Sequence, residues 1–109
     1  MTTFEERERS FEKKFALDEE RKFKAAARRT TLLGEWAAAR LGLSSAEAGD
    51  YIKALHRIDL GGKGGDEGVF KRVLQDLTDK GVAISADELQ RVLEEVRAQV
   101  EAQLAEKGA

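Results

Sequence analysis

His56 is the one histidine of the chain, and cysteine is absent. Thiolate nucleophiles, disulfides and thiolate metal sites are thereby excluded. A lone histidine beside Leu55 on a helix reads as a packed or half-exposed side chain, not as a ligand or a catalytic base. Ser44, Ser45 and Ser85 stand where helices begin, so capping explains them better than nucleophilic chemistry. The carboxylates are numerous but show neither Glu-x-x-His spacing nor an EF-hand loop. The run from Gly61 to Gly68, GGKGGDEG, invites a phosphate-loop reading. It fails, because Lys63 is followed by Gly64 rather than Ser or Thr and no apolar strand precedes it. It also fails the dinucleotide pattern G-x-G-x-x-G, since Glu67 stands where the third glycine belongs. A helix-to-helix connection is the better account. No catalytic, metal-binding or cofactor-binding residue is expected, and the chain does not read as an enzyme.

The elements behind these residues are helical. The chain has 109 residues, none of them proline, with 37% charged and only 6% aromatic. One modest aliphatic core in one domain is the most such a chain can build. Three marks divide it. Ser44 and Glu47 have the spacing of a capping box, and so do Ser85 and Glu88. Gly61–Gly65 holds four glycines in five positions, and Asp66 follows as a candidate N-cap. Gly81 suits the left-handed position just past a helix, and Ile84 with Leu89 has the spacing of a hydrophobic staple. Between the marks the apolar residues recur at helical spacing. They are Ala48, Tyr51, Ile52 and Leu55; then Val69, Phe70, Val73, Leu74 and Leu77; then Leu89, Val92, Leu93, Val96, Val100 and Leu104. A leading helix carries Phe23, Ala26, Ala27, Thr30, Leu33, Ala37 and Leu41. The fold class predicted is all-α, a small four-helix bundle over residues 20–109. Acidic residues exceed basic ones by 21 to 19, which argues against a nucleic-acid partner. No apolar run suits a membrane span or a secretory signal, so no direct membrane insertion and a cytoplasmic location are expected.

Residues 1–24 break the pattern. Fourteen of them are charged, seven of each sign, yet four of the chain's five phenylalanines sit here. At 100° per residue Phe4, Phe11 and Phe15 fall within about 40° of one another, while Phe23 is turned roughly 80° from Phe15. Glu8, Asp18 and Lys22 lie in or beside the stripe. A core helix needs an apolar face about 100° wide or more, so this one is too narrow and too interrupted to be core. An amphipathic segment, mobile or disordered when free and helical when bound in a partner's groove, is expected. The alternative is a solvated extension of the leading helix with its phenylalanines folded back on the bundle. The boundary falls between Phe15 and Phe23, where the stripe changes direction.

The start MTTFEERERSFEKKFALDEE and the run FKAAARRTTLLGEWAAARLG resemble the zeta subunit of α-proteobacterial proton-translocating ATP synthases. The later segments GDEGVFKRV and DKGVAIS fit the same family, and the likeness covers nearly the whole chain. It implies a four-helix bundle carrying an inhibitory segment over 1–19. That segment would insert at a catalytic α/β interface of the soluble ATPase head, beside the γ subunit, and block ATP hydrolysis. Carried over by position, the partner-binding residues would be Thr2, Thr3, Phe4, Glu5, Arg7, Glu8, Arg9, Phe11, Lys14 and Phe15. Phe4, Phe11 and Phe15 would serve as apolar anchors, and Arg7, Arg9 and Lys14 would pair with acidic partner groups. The protein would be a monomer when free, peripheral to the inner membrane through the ATP synthase. Two other readings remain open: a helical adaptor for a different partner, and a bundle that binds a small ligand such as a nucleotide.

Overall fold

The structure, a computed structural model, describes the backbone of residues 3–61 and 65–108 and side chains within 19–61 and 65–105. It contains four helices: α1 (Thr3–Leu41), α2 (Ser45–Leu60), α3 (Gly65–Asp79) and α4 (Ala86–Gly108). The all-α four-helix expectation holds, with no strand among the described residues.

Local chemistry sets most of the helix ends. Gly42 and Gly81 both take positive φ, at 71° and 84°. After each, the chain closes the helix in the Schellman manner: the Leu43 N–H donates to Ala38 O, and the Val82 N–H to Leu77 O. Ser44 makes the full capping box, its hydroxyl accepting from the Glu47 N–H while its own N–H donates to the Glu47 carboxylate. Those two bonds, the backbone one foremost, hold Glu47 below its ordinary carboxylate range. Ser85 makes half a box. It accepts from the Glu88 N–H at 3.1 Å, but the Glu88 carboxylate meets its hydroxyl rather than its backbone.

Successive helices run antiparallel. Thr31 of α1 meets His56 of α2, Tyr51 of α2 meets Asp76 of α3, and Arg28 of α1 meets Gln103 of α4. The predicted stripes converge on one core of Leu33, Ala37, Leu41, Leu55, Val69, Val73, Leu77, Leu89 and Leu93. Trp36, Tyr51, Ile58, Phe70, Val82 and Ile84 pack around it. α1 touches each of the other helices, whereas α3 and α4 share the thinnest seam. α1 and α2 approach closely at Gly34, where a Cβ would lie 2.8 Å from Ile52 Cγ1 and 3.2 Å from Leu55 Cδ1. Only a glycine lets α1 and α2 come this near without repacking.

The stripe on α1 is shorter than expected. Thr30, Leu33, Ala37 and Leu41 are buried and Ala26 and Ala27 are half-buried, but Phe23 is 60% exposed. The cause is where the neighbours stop. α2 ends at Leu60, only four residues past His56, and α3 begins at Gly65. Little of α2 or α3 reaches as far along α1 as Phe23.

Candidate functional site

α1 is a helix of 39 residues, about 58 Å long at 1.5 Å per residue, and it dominates the 67 Å long axis of the molecule. Its described side chains change character along its length. Glu19 to Lys24 are all exposed, Ala25 to Ala27 are half-buried, and Thr30 is the first residue fully buried. The described side chains before Ala25, Glu19 to Lys24, thus stand outside the packed core.

The exposed root is held together by its own charges. Lys22 lies 3.7 Å from Glu19 and Lys24 lies 3.0 Å from Glu20, at i,i+3 and i,i+4 spacing. Such solvated pairs contribute only about 0.3–0.5 kcal/mol each. They favour helix and hold nothing to the bundle. Thr2 lies outside the described residues. Thr3, Phe4, Glu5, Arg7, Glu8, Arg9, Phe11, Lys14 and Phe15 lie on the helical backbone of α1, with side chains outside the described residues. The structure therefore supplies these positions with one helical register. At that register Phe4, Phe11 and Phe15 share a line along the helix.

Just behind the root, three helices are tied together by a cluster that the sequence reading did not foresee. Arg29 of α1 donates to Asp66 Oδ2 of α3 at 3.1 Å, and Arg97 of α4 approaches the same oxygen at 3.7 Å. Asp66 thus sits in the first turn of α3 as an ion-pair hub, not before the helix as its N-cap. Arg28 adds a bond to Gln103 at 3.2 Å. Thr31 Oγ1 and His56 Nε2 lie 2.9 Å apart on the α2 side. His56 is half-buried and engaged in this bond between helices, as a packed side chain. Farther along, Arg40 stacks over the Trp36 ring at 4.9 Å. Asp76 binds both Tyr51, at 2.8 Å, and Arg72, at 2.9 Å.

The thin α3–α4 seam leaves an open groove of about 620 Å³ floored by Phe70, Leu74 and Leu93. Its charged rim is largely paired internally, Lys71 with Glu67 and Arg97 with Asp66. That pairing gives a phosphate-bearing ligand little to recognise. Lys63, from the glycine-rich connection, lies outside the described residues. No group of three or more His, Cys, Asp or Glu among the described residues could hold a metal ion. None of the described helices is long and apolar enough to cross a membrane.

Register was readable from the sequence; the ion-pair hub and the groove were not. Asp66 invited an N-cap reading because glycines precede it, and its partners lie on two other helices. The signal that could have flagged the exposed end of α2 is Leu60, an apolar residue directly ahead of a glycine run.

The family model for the ATPase inhibitor subunit zeta fits residues 1–103. No curated protein and no solved structure matches the chain at a significant level.

Proposed function

Because the chain belongs to the ATPase inhibitor subunit zeta family, we propose that it inhibits the ATP synthase by inserting the leading segment of α1, Thr2 to about Glu19, into the ATPase head. Family membership makes it a regulatory protein of the ATP synthase and not an enzyme. The finer reading concerns where and how it acts. The segment enters a catalytic α/β interface next to γ and wedges the motor in one rotational state, which stops rotation in the hydrolytic direction. A ligand that fits one state better than the others stabilises that state by the difference in affinity.

One observation carries this reading. α1 continues far past its own bundle, and its described side chains stay exposed from Glu19 to Lys24. A helix bearing three phenylalanines in line, beyond its own core, is suited to a groove in another protein. Phe4, Phe11 and Phe15 are the apolar anchors, at roughly 1.5–3 kcal/mol gross each. Coupled ordering costs about 2–5 kcal/mol, so the net favours binding. Arg7, Arg9 and Lys14 pair with acidic groups of the head, and Thr2, Thr3, Glu5 and Glu8 line the same segment. Residues 20–109 serve as the anchor. The segment is mobile in the free protein and adopts its helix fully on binding. The protein is a cytoplasmic monomer when free and peripheral to the inner membrane when bound.

The test is ATP hydrolysis by the cognate ATPase with the full chain and with a chain lacking residues 1–18. Inhibition should disappear with the segment. Equal inhibition by both would show that the bundle, not the segment, is the effector.

A further inference from the structure

Two large apolar side chains stand open to solvent among the described residues, Phe23 at 60% and Leu60 at 63%. Scattered exposed hydrophobics need no explanation. These two are not scattered. Phe23 precedes Thr31 by eight residues and Leu60 follows His56 by four, and Thr31 and His56 touch at 2.9 Å. Since α1 and α2 run antiparallel, both residues lie beyond that contact in the same direction, by about 12 and 6 Å along the helix axes. They flank the place where α1 leaves the bundle.

We infer that Phe23 and Leu60 form an apolar collar that seats on the rim of the opening through which the ATPase head admits the segment. The inference rests on the proposed insertion of residues 2–19. Its occupant follows from distance. Glu19 and Phe23 are one helical turn apart, about 6 Å, so a protein that grips α1 through Glu19 also reaches Phe23. Leu60 comes from a different helix, so a contact using both is wider than the inserted helix itself. The charges beside Phe23 and Leu60 are mixed in sign: Glu19 pairs with Lys22 and Glu20 with Lys24, and Arg21 and Asp59 add one of each sign. The collar therefore presents little net charge, and the rim that receives it is an apolar protein surface.

The experiment uses the full chain in five forms: unaltered, Phe23→Ser, Leu60→Ser, Leu60→Gln, and the triple change Phe4→Ala, Phe11→Ala, Phe15→Ala. Leu60→Gln serves as a second, more helix-compatible variant at that site. Each is titrated against ATP hydrolysis by the cognate ATPase, with thermal unfolding as the control for folding. Phe23→Ser and both Leu60 variants should each raise the half-inhibiting concentration about tenfold, equal to roughly 1.4 kcal/mol. Maximal inhibition and the unfolding midpoint should stay close to those of the unaltered chain. If the Leu60 variants inhibit like the unaltered chain while the triple variant fails, the collar is refuted and the insertion stands. A loss at Phe23 alone also refutes the collar, because Phe23 then merely lengthens the inserted helix. If the unaltered chain does not inhibit, the insertion itself fails.

Discussion

Gly34→Ala sets two effects of known size against each other. In a helix interior alanine is more favourable than glycine by about 1 kcal/mol, because glycine loses more backbone freedom on folding. At Gly34 the new methyl would stand 2.8 Å from Ile52 Cγ1, 3.2 Å from Leu55 Cδ1 and 3.6 Å from Ile52 Cβ. The first distance is a clash, and Leu55 is fully buried, so α1 and α2 must separate or their side chains must leave their rotamers. Overpacking of this kind costs roughly 1–3 kcal/mol. The net expectation is a destabilisation of up to about 2 kcal/mol. Gly49 provides the internal control: it lies inside α2, and a Cβ there meets nothing within 4 Å. Gly49→Ala should therefore stabilise by about 0.5–1 kcal/mol. Urea unfolding followed by circular dichroism measures both. The midpoints should move in opposite directions, with unchanged slope if the unfolded states are alike. If Gly34→Ala stabilised the protein as much as Gly49→Ala does, the close approach of α1 and α2 would be wrong, and with it the direction in which α1 leaves the bundle.

Asp66→Ala removes the shared partner of Arg29 and Arg97 and leaves the buried Arg29 Nε, which has no hydrogen-bond partner among the described residues, without that carboxylate. The cluster is partly solvated, so a loss of about 1–2 kcal/mol in chemical unfolding is expected, between surface and buried ion pairs. Tyr51→Phe deletes the bond to Asp76. Burial, and then that bond, push the Tyr51 hydroxyl well above its ordinary value of 10. The folded state thus holds this proton more tightly than the unfolded one. The advantage of the unaltered chain over Tyr51→Phe should be full below pH 10 and shrink as pH rises beyond it. Unfolding curves at pH 8 and 11 check the sign. Arg21→Pro interrupts α1 at an exposed position, at about 3 kcal/mol for an interior proline. Because the root touches little of the bundle, the thermal midpoint should hardly move, while inhibition of the ATPase should weaken at least tenfold.

How far the fold could be read from the sequence depended on the range of the forces involved. Helix ends at Ser44, Gly81 and Ser85 were legible because capping is settled within a few residues. The buried stripes of α3 and α4 were legible because periodicity repeats over three or more turns. Phe23 shows where this stops. Its spacing to Ala26 and Ala27 continues the stripe, but its burial depends on where α2 and α3 end, which its own helix does not encode. Asp66 fails as an N-cap for the same reason, since its arginines arrive from α1 and α4. For the candidate site, the line of Phe4, Phe11 and Phe15 could be read. Their contacts could not, because the groove proposed to receive them belongs to another protein.

A shared helix explains why the proposed inhibitory segment, fewer than 20 residues, is attached to a bundle. A free helix must first form a nucleus, at an equilibrium cost near a factor of 10³, about 4 kcal/mol. α1 removes this cost, since its second half is already helical and is clamped by Gly34 against α2 and by Arg29 against α3. Residues ahead of Ala25 need only propagate a helix that exists, one hydrogen bond per residue ordered. The bundle acts as a preformed template for the segment's helix. It also fixes the phase of that helix, because the register running back from Thr30 sets where Phe15, Phe11 and Phe4 stand around the axis. A break at Glu20, Arg21 or Lys22 removes both contributions at once without touching a residue proposed to meet the head. Inhibition should therefore depend on the integrity of a stretch that takes no part in the proposed insertion contacts.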